Sequence, residues 1–65
     1  MTHEELSRRL ELLKVEHRDL DSAIAALSLL PMPDALAIAR LKKRKLRLRD
    51  EIGWIEDRLI PDIIA

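Results

Sequence analysis

The sequence predicts an all-α protein, an antiparallel two-helix coiled-coil hairpin that assembles into a helical bundle. Three observations indicate this fold. The 65-residue chain is 37% charged and 48% hydrophobic, with one glycine and no phenylalanine, tyrosine or cysteine, a composition typical of long helices. Its three prolines stand only near the middle and near the end of the chain. Apolar residues recur at alternating steps of three and four on both sides of the central prolines, which is a helical period.

The first predicted helix spans residues 2–30. Thr2 and Glu5 match the pattern of a capping box, in which each side chain accepts a hydrogen bond from the other residue's backbone. Glu4 and Glu5 also suit the positive end of the helix dipole. The helix ends before Pro31 because a proline lacks the backbone N–H that an inner turn requires.

The turn is predicted over residues 31–33, the second helix over 34–60 and a short tail over 61–65. Asp34 is the expected N-cap of the second helix. Each helix is about 40 Å long at the usual rise per residue. Because the turn is short, the helices must be antiparallel neighbours, so residues 1–65 form one hairpin domain.

A heptad seam is predicted on each helix, and the two seams pair when the chain folds at its central prolines. In every facing pair the two residue numbers add up to the same total, as an antiparallel register requires. Seven consecutive layers result. The seam residues are Leu6, Leu10, Leu13, His17, Leu20, Ile24 and Leu27 on the first helix, and Ile38, Leu41, Lys45, Leu48, Ile52, Ile55 and Leu59 on the second.

Two polar residues, His17 and Lys45, occupy seam positions, and we expect them to set the register. Lys45 can lay its methylenes on Leu20 and extend its ammonium to Asp21 or Glu16. Polar seam residues in coiled coils fix register and oligomeric state at some cost in stability. We expect His17 to be half-buried and hydrogen-bonded to a neighbouring side chain; a pH switch or metal ligand is the alternative. No second histidine stands three or four residues away, so a zinc site is not predicted.

A second stripe on the second helix predicts self-association. Its members, Ala39, Leu46, Gly53 and Ile60, recur every seven residues. A lone hairpin of this size buries too little apolar surface to offset the entropy of ordering the chain. We therefore expect a homo-oligomer, a dimer or higher. Gly53 is either tolerated because it is exposed or present because another helix approaches it closely.

The basic segment 40–49 is a candidate surface for a protein partner or a nucleic acid. Clustered cations bind phosphates through counterion release. Acidic residues flank the segment on both sides, and the cations are expected to spread around the helix, which favours a solvated, ion-paired face over nucleic-acid binding. The candidate residues are Arg40, Lys42, Lys43, Arg44, Arg47 and Arg49.

Neither catalytic residues nor cofactor or metal sites are predicted, so we do not expect an enzyme. The chain has no cysteine and no glycine-rich phosphate loop, and its few hydroxyls have no base in an obvious relation to them. Its longest apolar run is about ten residues, too short to span a membrane. The first residues lack a signal-peptide core, and we expect a cytoplasmic protein without a membrane partner.

The strings at 16–21 and 41–52 resemble the YdcH-like family of small bacterial proteins of unknown function. The resemblance covers roughly residues 13–59. Its most specific part is the string at residues 41–52, Leu-Lys-Lys-Arg-Lys-Leu-Arg-Leu-Arg-Asp-Glu-Ile. It implies a helical hairpin, oligomeric and in a bacterial cytoplasm, without catalytic residues. We interpret the protein as a self-associating structural module that binds a protein partner. A nucleic-acid-associated protein and a small regulatory subunit of an enzyme are the alternatives.

Overall fold

The computed structural model describes residues 2–59, which form two α-helices, α1 (His3–Ser28) and α2 (Ala35–Leu59). The helices pack against each other as an elongated hairpin with Cα extents of 49 × 22 × 14 Å. The predicted all-α hairpin is thereby confirmed over these residues. The predicted end of the second helix at Ile60 and the tail 61–65 lie outside the described residues.

The start of α1 is the predicted capping box. The Thr2 hydroxyl oxygen accepts a hydrogen bond from the Glu5 backbone N–H at 3.1 Å, and a Glu5 carboxylate oxygen accepts one from the Thr2 backbone N–H at 3.0 Å. The Thr2 backbone N–H, followed by its side chain, lowers the pKa of Glu5 because both favour the ionised carboxylate. Two backbone donors that a helix start leaves free are thus satisfied.

The first helix ends at Ser28, two residues before the predicted end at Leu30. The backbone N–H groups of Leu29 and Leu30 donate to carbonyls three residues earlier, each at 3.3 Å, which is a tighter turn than the α-helix. A residue that precedes a proline also avoids the α conformation for steric reasons. The connection between the helices therefore covers residues 29–34 rather than 31–33.

The second helix begins directly after Asp34, the predicted N-cap. One carboxylate oxygen of Asp34 accepts hydrogen bonds from the backbone N–H groups of Leu36 and Ala37, at 3.1 and 3.0 Å. Its backbone carbonyl accepts the first helical bond, from Ile38 at 3.0 Å. An aspartate in this role also places negative charge at the positive end of the helix dipole.

The core is one cluster drawn entirely from the predicted seams. Leu13 and Ile55 are the most enclosed side chains, 1% and 2% exposed. Two cross-helix ion pairs confirm that the helices run antiparallel, because Arg9–Glu51 and Glu16–Arg44 advance by seven residues in opposite directions along the two helices. The buried residues are Leu6, Leu13, Leu20, Leu48 and Ile55, with Leu10, Leu41, Ile52 and Leu59 packed against them.

The contact between the helices lies to one side of the seam. Each heptad supplies two seam positions on each helix. The buried residues among 2–59 occupy only one of these two positions, so they follow each other at steps of seven, as Leu13 and Leu20 do. The residues at the other position, such as Ile24 and Ile38, are only half-buried. One edge of the seam is consequently closed by packing, and the other edge is open to solvent.

Candidate functional site

The polar seam residue Lys45 forms an ion pair across the helices. Its ammonium group contacts a carboxylate oxygen of Asp21, one of the two partners expected from the sequence. The hydrogen bond from Lys45 is the main cause that lowers the pKa of Asp21. The pair lies at the open edge of the seam, where the Lys45 and Asp21 side chains are 37% and 49% exposed.

His17 does not make the hydrogen bond that we expected of it. Its Nδ1 lies 3.8 Å from the nearer oxygen of Asp21, which is too long for a hydrogen bond. The side chain is 27% exposed and half-buried between the helices. Among residues 2–59, no group of three or more His, Cys, Asp or Glu side chains could hold a metal ion.

On the closed edge of the seam, two arginines each clamp one glutamate of the opposite helix. Both Nε and an Nη of Arg44 donate to one oxygen of Glu16, at 3.1 and 2.5 Å. Arg9 makes the same contact with Glu51, at 3.2 and 3.0 Å. These four residues join α1 and α2 beside the buried leucines.

The same edge carries a depression that we call the basic depression. Leu48 forms part of it, between two glutamates and five cations. Four of the seven cations in segment 40–49 line this one surface, and the other three, Lys42, Lys45 and Arg49, lie on a different side of the hairpin. Steps of three and four residues return side chains to the same face. The cations are Arg9, Arg40, Lys43, Arg44 and Arg47, and the acids are Glu16 and Glu51.

The opposite side of the hairpin is what we call the open face, formed by Ile24, Ile38, Ala39, Leu46 and Gly53 and flanked by Lys42 and Arg49. Two shallow depressions that share Lys42 lie on it. Ile24 and Leu46 line one of them and Ile38 and Ala39 the other. The two remaining cations of the candidate surface therefore border an apolar face rather than the basic depression.

Three of the four residues in the predicted self-association stripe lie on the open face, and the fourth, Ile60, is outside the described residues. Leu46 is 56% exposed. A Cβ atom built on Gly53 meets no atom within 4 Å. No packing contact within residues 2–59 therefore requires a glycine at this position.

One contact was missed by the sequence reasoning. The Arg58 guanidinium lies over the Trp54 ring, 4.0 Å from its centroid, in a cation–π contact. The signal that predicts it is the spacing of four residues on a helix. Trp54 remains 52% exposed and lies outside the core.

A comparison with models of protein families finds one family that matches this chain. The model of a family described as a protein of unknown function, DUF465, matches residues 10–56, most of the chain. The chain belongs to the DUF465 family. No curated protein matches it, and no solved structure matches it.

The DUF465 segment contains the Lys45–Asp21 pair, the Glu16–Arg44 clamp and the whole apolar part of the open face. The capping box at Thr2 and Glu5 precedes the segment. Within residues 2–59, neither helix has a stretch long and apolar enough to cross a membrane.

Proposed function

We propose that this DUF465 protein is a non-enzymatic interaction module that associates with a second copy of itself through the open face. The observation that carries the proposal is the off-centre packing of the hairpin. Ile24, Ile38 and Ile52 are only half-buried at the open edge, and Leu46 is 56% exposed beside them. Apolar side chains at seam spacing are usually covered by another helix.

The amount of exposed apolar surface supports the same proposal. Only five side chains among residues 2–59 are buried, whereas a domain of this size is already near the lower limit for independent folding. A second hairpin on the open face would add the missing burial. The exposed large hydrophobic residues are Leu12, Val15, Leu29, Leu30, Met32, Leu36, Leu46 and Trp54.

Sedimentation equilibrium over a micromolar to submillimolar range, with circular dichroism on the same samples, tests this proposal. We expect a helical dimer or higher oligomer. Leu46→Gln should weaken its association at least about tenfold, since the apolar area of each copy is lost from the interface. Leu12→Gln is the matched control, because Leu12 is equally exposed, at 61%, but lies away from the open face. A fully helical wild-type monomer at all concentrations would refute self-association.

The protein-binding role and the cellular setting belong to the same proposal. We take the DUF465 proteins to be the YdcH-like family of small bacterial cytoplasmic proteins, since the string 41–52 that carries the resemblance lies inside the matched residues. The basic depression is then free to contact an acidic protein partner while the open face holds a second copy. Crosslinking from the basic depression in native cells, followed by mass spectrometry, tests whether such a partner exists.

A second candidate function is nucleic-acid binding by the basic depression. Four cations of segment 40–49 line it, but Arg44 is already paired with Glu16. Neutralising three phosphates with Arg40, Lys43 and Arg47 gives a log–log salt slope of about −3. Titration of a DNA duplex at low salt should show this slope and lose affinity in Arg40→Gln/Arg47→Gln. Lys42→Gln/Arg49→Gln is the matched control on the other face.

A further inference from the structure

The zero net charge of the chain conceals a separation of charge along the hairpin. The half nearer the turn, residues 16–49, carries eight Lys and Arg residues and four Asp and Glu residues. The half farther from the turn, residues 2–15 and 50–59, carries four basic and seven acidic residues. Because the helices run antiparallel over 49 Å, one end of the molecule is positive and the other is negative.

The charges that border the open face follow the same division. Lys42 lies toward the turn, and Glu56 lies fourteen residues further along α2, two heptads on and so on the same side of the helix. Both side chains are exposed. Among residues 2–59 neither of them has an ion-pair partner. The open face therefore presents an apolar centre with unpaired charge of opposite sign toward its two ends.

We propose that two copies pair through their open faces in opposite directions, so that the positive half of each lies against the negative half of the other. The inference rests on the proposed self-association and adds its orientation and register. A twofold axis relates the copies, which makes the interface self-complementary and closes the assembly at two chains. Four helices then enclose the half-buried isoleucines of both hairpins.

The register follows from the positions of the charges on α2. When Leu46 of one copy lies on Gly53 of the other, Lys42 faces Glu56. Symmetry forms this contact twice. The open space around Gly53 then receives an exposed leucine, as a knob enters a hole.

A parallel arrangement would place equal charges against each other. The two copies of Lys42, and likewise the two copies of Arg49, which flank the open face, would lie side by side along the interface. Like charges across an interface oppose association, and the effect is strongest at low ionic strength. The antiparallel register leaves one unfavourable contact on the same side as Lys42, between Arg49 and its own symmetry mate at the twofold axis.

The size of the open face fits a stable dimer. The two longer Cα extents of the hairpin are 49 and 22 Å, so a broad side of the molecule has about 1,000 Å², and a second hairpin that overlaps most of it buries an amount within the usual range of specific interfaces. A nucleic acid or an acidic protein on the open face would instead need a continuous basic surface. Glu56 and Gly53 interrupt such a surface on this side.

A distance measurement between labelled copies tests the orientation. The chain contains no cysteine, so Leu36→Cys introduces one spin label per chain, at a position near the turn that is 66% exposed. In the antiparallel register the two labels are about 27 residues of helix apart, or about 40 Å. In a parallel dimer they lie within about 20 Å, given the usual spacing of packed helices. A pulsed electron–electron distance near the shorter value would overturn the proposal while leaving self-association intact.

Charge reversal tests the register in the same protein. Lys42→Glu and Glu56→Lys should each weaken the homodimer at least about fivefold at low salt, and an equimolar mixture of the two variants should associate more tightly than either alone. Arg47→Glu is the matched control, because it makes the same charge change within the positive half but away from the open face, and it should leave the dimer unchanged. Equal association of all variants and no gain on mixing would refute the register. A monomeric wild type would instead refute self-association itself.

Discussion

Lys45 and Asp21 join the two helices at the open edge of the seam, at a layer where α2 carries a cation in place of an aliphatic side chain. The ion pair is partly exposed, with the two side chains 37% and 49% accessible. Pairs this exposed contribute little to stability, because water and salt screen them. Lys45 is therefore better placed to restrict how helices pack than to strengthen the hairpin.

Replacing Lys45 by leucine should stabilise the protein and reduce the specificity of its assembly. Complete burial of a leucine side chain contributes about 1.5–3 kcal/mol, and the part of this gained at a half-buried position still exceeds the contribution of the exposed ion pair that is lost. We expect Lys45→Leu to melt at a higher temperature and to populate more than one oligomeric state. Thermal denaturation and sedimentation velocity measure the two effects. A lower melting temperature with unchanged assembly would contradict the prediction.

The Lys45–Asp21 pair should make a pH-dependent contribution to stability. Because Lys45 lowers the pKa of Asp21 in the folded protein, the contribution is complete above the usual aspartate pKa of about 4. It is lost as the pH falls through the lower pKa of the folded state. Asp21→Asn should therefore melt below wild type at neutral pH and converge with it in strong acid. Asp19→Asn is the control, since Asp19 has no ion-pair partner among residues 2–59.

Two adjacent leucines should differ sharply in their importance for folding. Leu13 is 1% exposed and Leu12 is 61% exposed. Leu13→Ala leaves a cavity in the seam and should cost about 3 kcal/mol in the free energy of unfolding. Leu12→Ala removes little buried surface and should change it by less than about 0.5 kcal/mol. Urea denaturation of both variants at the same protein concentration measures the two free energies of unfolding. Similar losses of stability in the two variants would show that the seam is assigned incorrectly.

Gly53→Ala should strengthen the hairpin and weaken its self-association. Alanine is about 1 kcal/mol more favourable than glycine inside a helix, and the added methyl meets nothing within the described chain. In the proposed dimer the same methyl occupies the space that Leu46 of the partner copy enters. The melting temperature of the dilute variant should therefore rise, while its association constant, measured by sedimentation at high concentration, should fall. Tighter association would exclude the Leu46–Gly53 contact.

Removing the charge of Arg49 should tighten the dimer. In the proposed register Arg49 meets its symmetry mate at the twofold axis, so Arg49→Gln relieves a like-charge contact. We expect association to strengthen about threefold at low salt, with a smaller gain at high salt because the repulsion is screened. Arg47→Gln, on the other side of α2, should leave the dissociation constant unchanged. Weaker association of Arg49→Gln would place the axis elsewhere.

The sequence was sufficient to predict the seam residues, the antiparallel orientation of the helices and both helix starts. The heptad spacing places Leu13, Ile52 and Ile55 in one cluster, as observed. Thr2 and Asp34 make the predicted caps. These features depend on contacts between near neighbours or on a simple period, and both can be read from the order of residues.

The off-centre packing of the helices could not be predicted from the same pattern. A heptad identifies a stripe about two residues wide, and it does not state toward which side of the stripe the partner helix rolls. In the structure, Arg9 and Arg44 clamp glutamates on one side, and the seam positions on the other side stay half-exposed. The grouping of four cations in the basic depression was missed for a related reason, because the spread of all seven around the helix concealed the subset that shares a face.

The axial separation of charge has a consequence for the motion of the whole molecule. With a formal charge of zero and an isoelectric point near 6.7, the hairpin hardly drifts toward either electrode at neutral pH. Its two ends nevertheless experience opposite forces, so a lone copy rotates to align with an applied field. Any charged body that it approaches will meet one end first.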